Sequence, residues 1–150
     1  MSLSTEPSKP IVFVDSNAWI GYAYAGDALA HLAYPLVSRL TETATLVMLN
    51  LVVYEIVTVI SQRVNRHEAV IIGDTLFELI EKKAVIAEPI DAIIEEAAWD
   101  LFTSSRTKNV SFTDYAIAAY VLDRGIETVV SFDKDVKRLG RRLGFKVIGA

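Results

Sequence analysis

From residue 11 to the C-terminus, short runs of β-branched and other apolar residues alternate with longer segments of helical period. No other feature of the chain restricts its fold as much. Strands separated by helix-length segments pair in parallel, each joined to the next by a crossover. The expected strands are IVFVD (11–15), TLVMLN (45–50), AVIAE (84–88), ETVVSFD (127–133) and FKVIG (145–149). Their continuous apolar character suits strands covered on both faces. The expected fold class is therefore a three-layer α/β/α arrangement about a central parallel sheet of about five strands.

Helices are expected between the strands. SNAWIGYAYAG opens a short one that ends between Gly21 and Gly26. In 27–42, Leu29, Leu32, Leu36 and Leu40 recur at helical spacing, with Asp27 as cap and Pro35 as a bend. Segments 66–83, 91–105, 111–125 and DKDVKRLGRRLG (133–144) complete the set. LVVYEIVTVISQRV (51–64) is strand by propensity, yet it directly follows the strand 45–50. A helix buried on most sides reads the same way, and Asn50 stands where an N-cap would. Helix is the expectation. Trp99, Phe77 and Phe102 are expected in the core.

The 150 residues suit a single domain with a sizeable core, 11–150, behind a disordered tail at 1–10. The tail, MSLSTEPSKP, has neither the basic nor the apolar region of a signal peptide. The longest apolar run, 46–60, contains Asn50 and Glu55 and is too short and polar to span a bilayer. A cytoplasmic protein with no membrane association is expected.

There are no cysteines and only two histidines, His31 and His67, so a metal here would be held by oxygen, which favours Mg²⁺ or Mn²⁺. The formal net charge of −4 hides an uneven distribution. Lys134, Lys137, Arg138, Arg141, Arg142 and Lys146 cluster against a single acid, Asp135. That segment is either a solvated helix face or a phosphate-contacting one.

Four acids stand out by position. Asp15 and Asp133 end predicted strands, at the carboxyl edge where open parallel sheets bind ligands. Asp114 lies in a first helical turn, three residues after Ser111. Glu55 is set among Val52, Val53, Ile56, Val57 and Val59, with no basic residue at i±3 or i±4. Each has a local explanation: turn former, cap, or complement to a helix dipole. Burying Glu55 without a partner would be costly, so it either reaches solvent or faces a cation. Four acids that converge repel one another. At 4 Å and an effective dielectric of about 20, one pair costs roughly 4 kcal/mol. A divalent ion offsets that repulsion and serves displacement at phosphorus.

VFVDSNAWI, LVVYEI, SFTDYAIAAYVLDRG and VVSFDKD together resemble the PIN domain, in particular the small VapC-type toxin ribonucleases, over residues 11–148. The resemblance implies a metal-dependent ribonuclease hydrolysing phosphodiester bonds in single-stranded RNA. Asp15, Glu55, Asp114 and Asp133 match the acidic quartet that binds one or two Mg²⁺ or Mn²⁺ ions. Ser16, Asn17, Thr113, Ser131 and Asp135 match supporting polar positions. Asn50 departs from the Ser or Thr that members often carry, as a swap of capping residue. The family also implies a homodimer and a VapB-type antitoxin. On this reading Lys134, Arg138, Arg141 and Arg142 would bind RNA, and Trp19, Tyr22, Tyr24 and Phe112 would lie near the rim. Three other readings remain: a housekeeping RNA-processing nuclease, a non-catalytic PIN-fold binding module, and a haloacid-dehalogenase-type phosphatase. The last needs Asp-x-Asp, and Asn17 stands at its second position.

Overall fold

In the computed structural model, residues 8–150 are described. The expected tail at 1–10 therefore lies mostly outside the described residues; Ser8, Lys9 and Pro10 are exposed and irregular. Five strands, β1 (Ile11–Val14), β2 (Thr45–Leu49), β3 (Val85–Glu88), β4 (Thr128–Ser131) and β5 (Lys146–Gly149), form one sheet. The strand order is β3-β2-β1-β4-β5 and every pairing is parallel. Seven helices connect and cover it: α1 (Ser16–Ala23), α2 (Ala30–Thr43), α3 (Asn50–Arg63), α4 (Arg66–Glu81), α5 (Ala92–Ser104), α6 (Phe112–Asp123) and α7 (Lys134–Leu143).

Val12, Phe13 and Val14 in β1, Leu46 to Leu49 in β2, and Val129 and Val130 in β4 are all buried. Successive strand residues point to opposite faces, so unbroken burial means both faces are covered. The chain builds outward from β1 through β2 to β3, then returns to β1's other side for β4 and β5. The order reverses between β1 and β4. Val14 pairs with Val130, and the Asp15 amide donates to the Val130 carbonyl at 2.9 Å. The residues that follow these two strands therefore emerge side by side at the switch point.

Helix starts follow the sequence. Asn65 accepts from the Glu68 amide at 2.7 Å, and Asp91 from the Ile94 amide at 2.8 Å. At α6, Ser111 and Asp114 form a reciprocal capping box. Segment 51–64 is indeed helical. The valines and isoleucines that suggest a strand fill a helix pressed against β2, α1 and α4.

Several expectations are corrected. Asn50 is the first residue of α3, with Leu49 at the cap position and no side-chain cap. An Asn already inside the helix cannot reach the first-turn amides, and its buried Oδ1 has no partner. Asp27 accepts from the Leu29 amide at 2.9 Å, capping the turn before α2, which begins only at Ala30. The fully buried residues of α2 are Ala33 and Val37, with Leu36 and Leu40 packed beside them; Leu32, expected on the same face, is exposed. Pro35 lies inside α2 and does not end it. At Gly21 a Cβ would lie 2.6 Å from the Ala33 Cβ, so glycine sets how closely α1 approaches α2. Phe77, Trp99 and Phe102 are exposed at 51, 56 and 40%, not in the core. Trp19, expected at the rim, is fully buried, with its Nε1 unpartnered.

Candidate active site

Asp15 follows β1 at the switch point and is 3% exposed. Its Oδ1 accepts from the Ser16 amide at 2.7 Å. Its Oδ2 accepts from the Ser131 hydroxyl at 2.8 Å and, more weakly, from the Asn17 amide nitrogen at 3.4 Å. The Asn17 Nδ2 also donates to Ser131 Oγ at 3.2 Å, and its Oδ1 accepts from the Phe132 amide at 2.9 Å. Ser131 Oγ in turn accepts from the Asp133 amide at 3.2 Å. One hydroxyl and one carboxamide thus tie the end of β1 to the end of β4.

Asp133 starts α7, with its Oδ1 accepting from the Asp135 amide at 2.8 Å. Asp114 Oδ2 accepts from the Ser111 amide at 3.0 Å. The local, capping roles of Asp15, Asp114 and Asp133 are therefore real. In Asp114 and Asp133 they engage one oxygen of each carboxylate. Glu55, in the second turn of α3, is partly exposed.

Electrostatics links all four acids. Burial pushes the Asp15 carboxyl up to about 7; the bonds from Ser131 and Ser16 oppose this, and the charges of Asp114 and Glu55 add to it. Burial likewise raises Asp114 to about 6, against the Ser111 bonds and with the charges of Asp133 and Glu55. The acids sense one another without closing into a shell. Among the described residues, no group of three or more His, Asp or Glu side chains is gathered closely enough to hold a metal ion. Their chemistry nonetheless fits a hard divalent cation. The donors are oxygens, both histidines lie elsewhere on exposed helix surface, and a cation would reverse the charge strain that raises Asp15 and Asp114.

The other expected residues are placed as follows. Ser16 contributes its backbone amide, and Thr113 lines a hollow next to Asp114. Asp135 pairs with Arg138 at 3.0 Å. Lys134, Arg138, Arg141 and Arg142 are exposed on α7. Lys137 instead donates to the carbonyl of Ala150 at 2.6 Å. Tyr22 stacks on Tyr34, with centroids 5.5 Å apart, while Tyr24 and Asn17 share a groove between α1, the turn before α2, and α3. Sequence reasoning missed the exposed ring of Trp99 beside Phe112 on this same edge. Only its position one turn after Glu95, on a face rich in charge, hinted at solvent.

A parallel sheet with a carboxylate at its switch point, under the charges of Asp114 and Glu55, and Asp133 acting on Asp114 in turn, defines the class. The chain belongs to the PIN domain family, whose model matches residues 12–142. Over 130 residues it is 26% identical to the 23S rRNA-specific endonuclease VapC20 of two Mycobacterium tuberculosis strains, covering 87% of this chain and 95% of that protein. The crystal structure of that VapC20, described as a sarcin–ricin loop cleaving toxin, superposes with a TM-score of 0.71, over 86% of this chain and 95% of the other. VapBC2 from Rickettsia felis, bound to a DNA fragment from its promoter, matches at 14% identity and TM-score 0.64, covering 91% and 96% of the two chains. FitAcB from Neisseria gonorrhoeae matches at 16% and 0.63, covering 92% and 96%. These last two likenesses concern the fold. Among the described residues, no helix is long and apolar enough to cross a membrane.

Proposed function

We propose that this protein is a metal-dependent endoribonuclease that hydrolyses phosphodiester bonds in single-stranded RNA, as the toxin of a VapBC-type toxin–antitoxin pair. The observation that carries the reading is Asp15: a buried carboxylate at the β1/β4 switch point, raised to about 7 by burial and by neighbouring acids. A carboxylate placed at such cost, under the charges of Asp114 and Glu55, suits a cation.

Asp15, Glu55, Asp114 and Asp133 would hold Mg²⁺ or Mn²⁺. When bound, the ion supplies a lowered pKa for water and charge stabilisation at phosphorus. The chain's own contribution is placement. Ser131 and Asn17 hold the Asp15 carboxylate, Ser111 holds Asp114, and the Asp135 amide holds Asp133. Lys134, Arg138, Arg141 and Arg142 on α7 would contact phosphates flanking the scissile bond. Residues 11–150 would act as one cytoplasmic catalytic domain. The likeness to VapC20, and to VapBC and FitAB assemblies, supports an antitoxin partner and an rRNA-type substrate; a homodimer is the expected assembly.

The test is cleavage of RNA by protein freed of contaminating nuclease. Cleavage should need Mg²⁺ or Mn²⁺ and stop in EDTA. Undiminished cleavage in excess chelator refutes the metal mechanism.

A further inference from the structure

α5 exposes three large apolar side chains, Ile93 (69%), Trp99 and Phe102. Such grouping exceeds the single exposed apolars of an ordinary surface. Phe102 stacks on Trp99 with centroids 5.7 Å apart and rings inclined by 29°, and Phe112 lies 6.3 Å from Trp99. Trp99 and Phe112 wall a hollow of about 400 Å³ with Leu51, Ile90, Glu95 and Thr113. Leu51 and Thr113 lie in the first turns of α3 and α6, Ile90 follows β3, and Glu95 lies in the first turn of α5. All belong to the carboxyl edge of the sheet. The hollow thus opens on the same edge as the acidic site, with Thr113 one residue before Asp114.

Its chemistry narrows what can enter. α5 carries Glu95, Glu96 and Asp100 and no basic residue. A two-fold contact centred on this face would bring these acids close to those of the second copy. The same charge repels a phosphate backbone but not a heterocycle, whose ring gains from stacking on Trp and Phe. Glu95, when ionised, is acceptor-only and selects a base edge that presents N–H donors. Guanine presents two side by side.

We propose that this hollow is a nucleobase subsite, in which one unpaired guanine stacks on Trp99 and Phe112 and donates its N1–H and exocyclic N–H to Glu95. The inference rests on the ribonuclease reading and names a recognition element of the same site. Bases of single-stranded RNA are read this way, by stacking and by their hydrogen-bonding edges.

The chain has two tryptophans, and Trp19 is fully buried, so RNA-dependent quenching reports on Trp99. The probes are oligouridine strands carrying one guanine, one inosine, one adenine or none. They are titrated into the cleavage-deficient Asp114→Asn protein with Mg²⁺ present. The guanine strand should quench most and bind tightest. Adding Trp99→Ala should weaken its binding by roughly 5- to 100-fold. That loss should be the same at low and high salt, because stacking releases no counterions. Trp99→Phe should restore much of it, and Glu95→Gln should shrink the preference of guanine over inosine.

Equal affinity for all four strands, or binding unaffected by Trp99→Ala while wild type still cleaves RNA, overturns the subsite and leaves the ribonuclease reading standing. If wild type cleaves nothing with Mn²⁺ but guanine strands still quench Trp99, the subsite stands and that reading fails. A blue shift of Trp99 emission with rising protein concentration and no RNA, abolished by Trp99→Ala together with dimerisation, assigns the face to a second copy and refutes the proposal.

Discussion

Asp114→Asn should stabilise the metal-free protein above pH 6 and destabilise it, relative to wild type, once Mn²⁺ is present. The Asp114 carboxyl is raised from 3.8 to about 6, by burial first and then by Asp133 and Glu55. The folded state holds this proton more tightly than the unfolded state does. Stability is therefore greatest at low pH, falls as pH rises from about 4 to 6, and is flat above. At 1.36 kcal/mol per unit the shift is worth at most about 3 kcal/mol; solvent at this partly exposed carboxyl brings that nearer 1.5 kcal/mol. Asparagine removes the charge, and its carbonyl still accepts from the Ser111 amide. Losing the charged character of that bond costs about 0.5 kcal/mol. The net gain is about 1 kcal/mol, or a rise of about 2–4 °C in a domain this size. At pH 4.5 the gain should vanish. Mn²⁺ at 100 times the wild-type Kd adds about 2.7 kcal/mol to wild type and far less to the variant, reversing the order. Thermal melts in EDTA and in Mn²⁺, at pH 4.5 and 8, read all of this. A variant that melts lower at pH 8 in EDTA, with Mn²⁺ shifting neither protein, means that Asp114 only caps α6.

Ser131→Ala should push the Asp15 carboxyl above its already raised value, because the Ser131 bond holds it down; carboxyl ¹³C NMR of the metal-free protein measures this. The same change should cost about 1–3 kcal/mol, read by urea unfolding, since Asp15 and the Asp133 amide both lose a partner. Arg141→Ala with Arg142→Ala should weaken RNA binding and lower its salt slope by up to about 2, with the fold unchanged; an unaltered slope makes α7 a solvated face. Gly21→Ala should destabilise by about 1–3 kcal/mol in thermal melts, because the new methyl meets Ala33.

The sheet was legible because both-face burial writes itself as continuous apolar runs, as in 11–15 and 45–50. The amphipathic helices were less so. Leu29, Leu32, Leu36 and Leu40 share a face by spacing, and Leu36 and Leu40 do pack on the core, but the fully buried positions are Ala33 and Val37, where α2 meets α1 at Gly21. Small residues that permit close approach carry no hydrophobic signal. Trp19 and Trp99 exchanged roles for a related reason. Large aromatics are equally welcome in a core and at a stacking surface, and only the packing partners decide. Asn50 looked like a cap because it lies at a strand-to-helix junction, and a one-residue shift of the helix start removed that role.

The acids were legible by position, and their double use was not. Asp15 and Asp133 each accept a first-turn amide and Asp114 accepts the amide of its N-cap, Ser111, so the bland reading and the metal reading describe the same atoms. The two readings do not compete, because the cap fixes the rotamer that the site needs. A carboxylate held by a helix start cannot swing away from its neighbours' charge. Asp15 shows the consequence: Ser131 and Ser16 lower its pKa, yet burial first, and then the charges of Asp114 and Glu55, keep it near 7. The fold holds the like charges within reach of one another. A cation would relieve that strain, so on the proposed reading affinity for an ion and the like-charge strain would have a common origin.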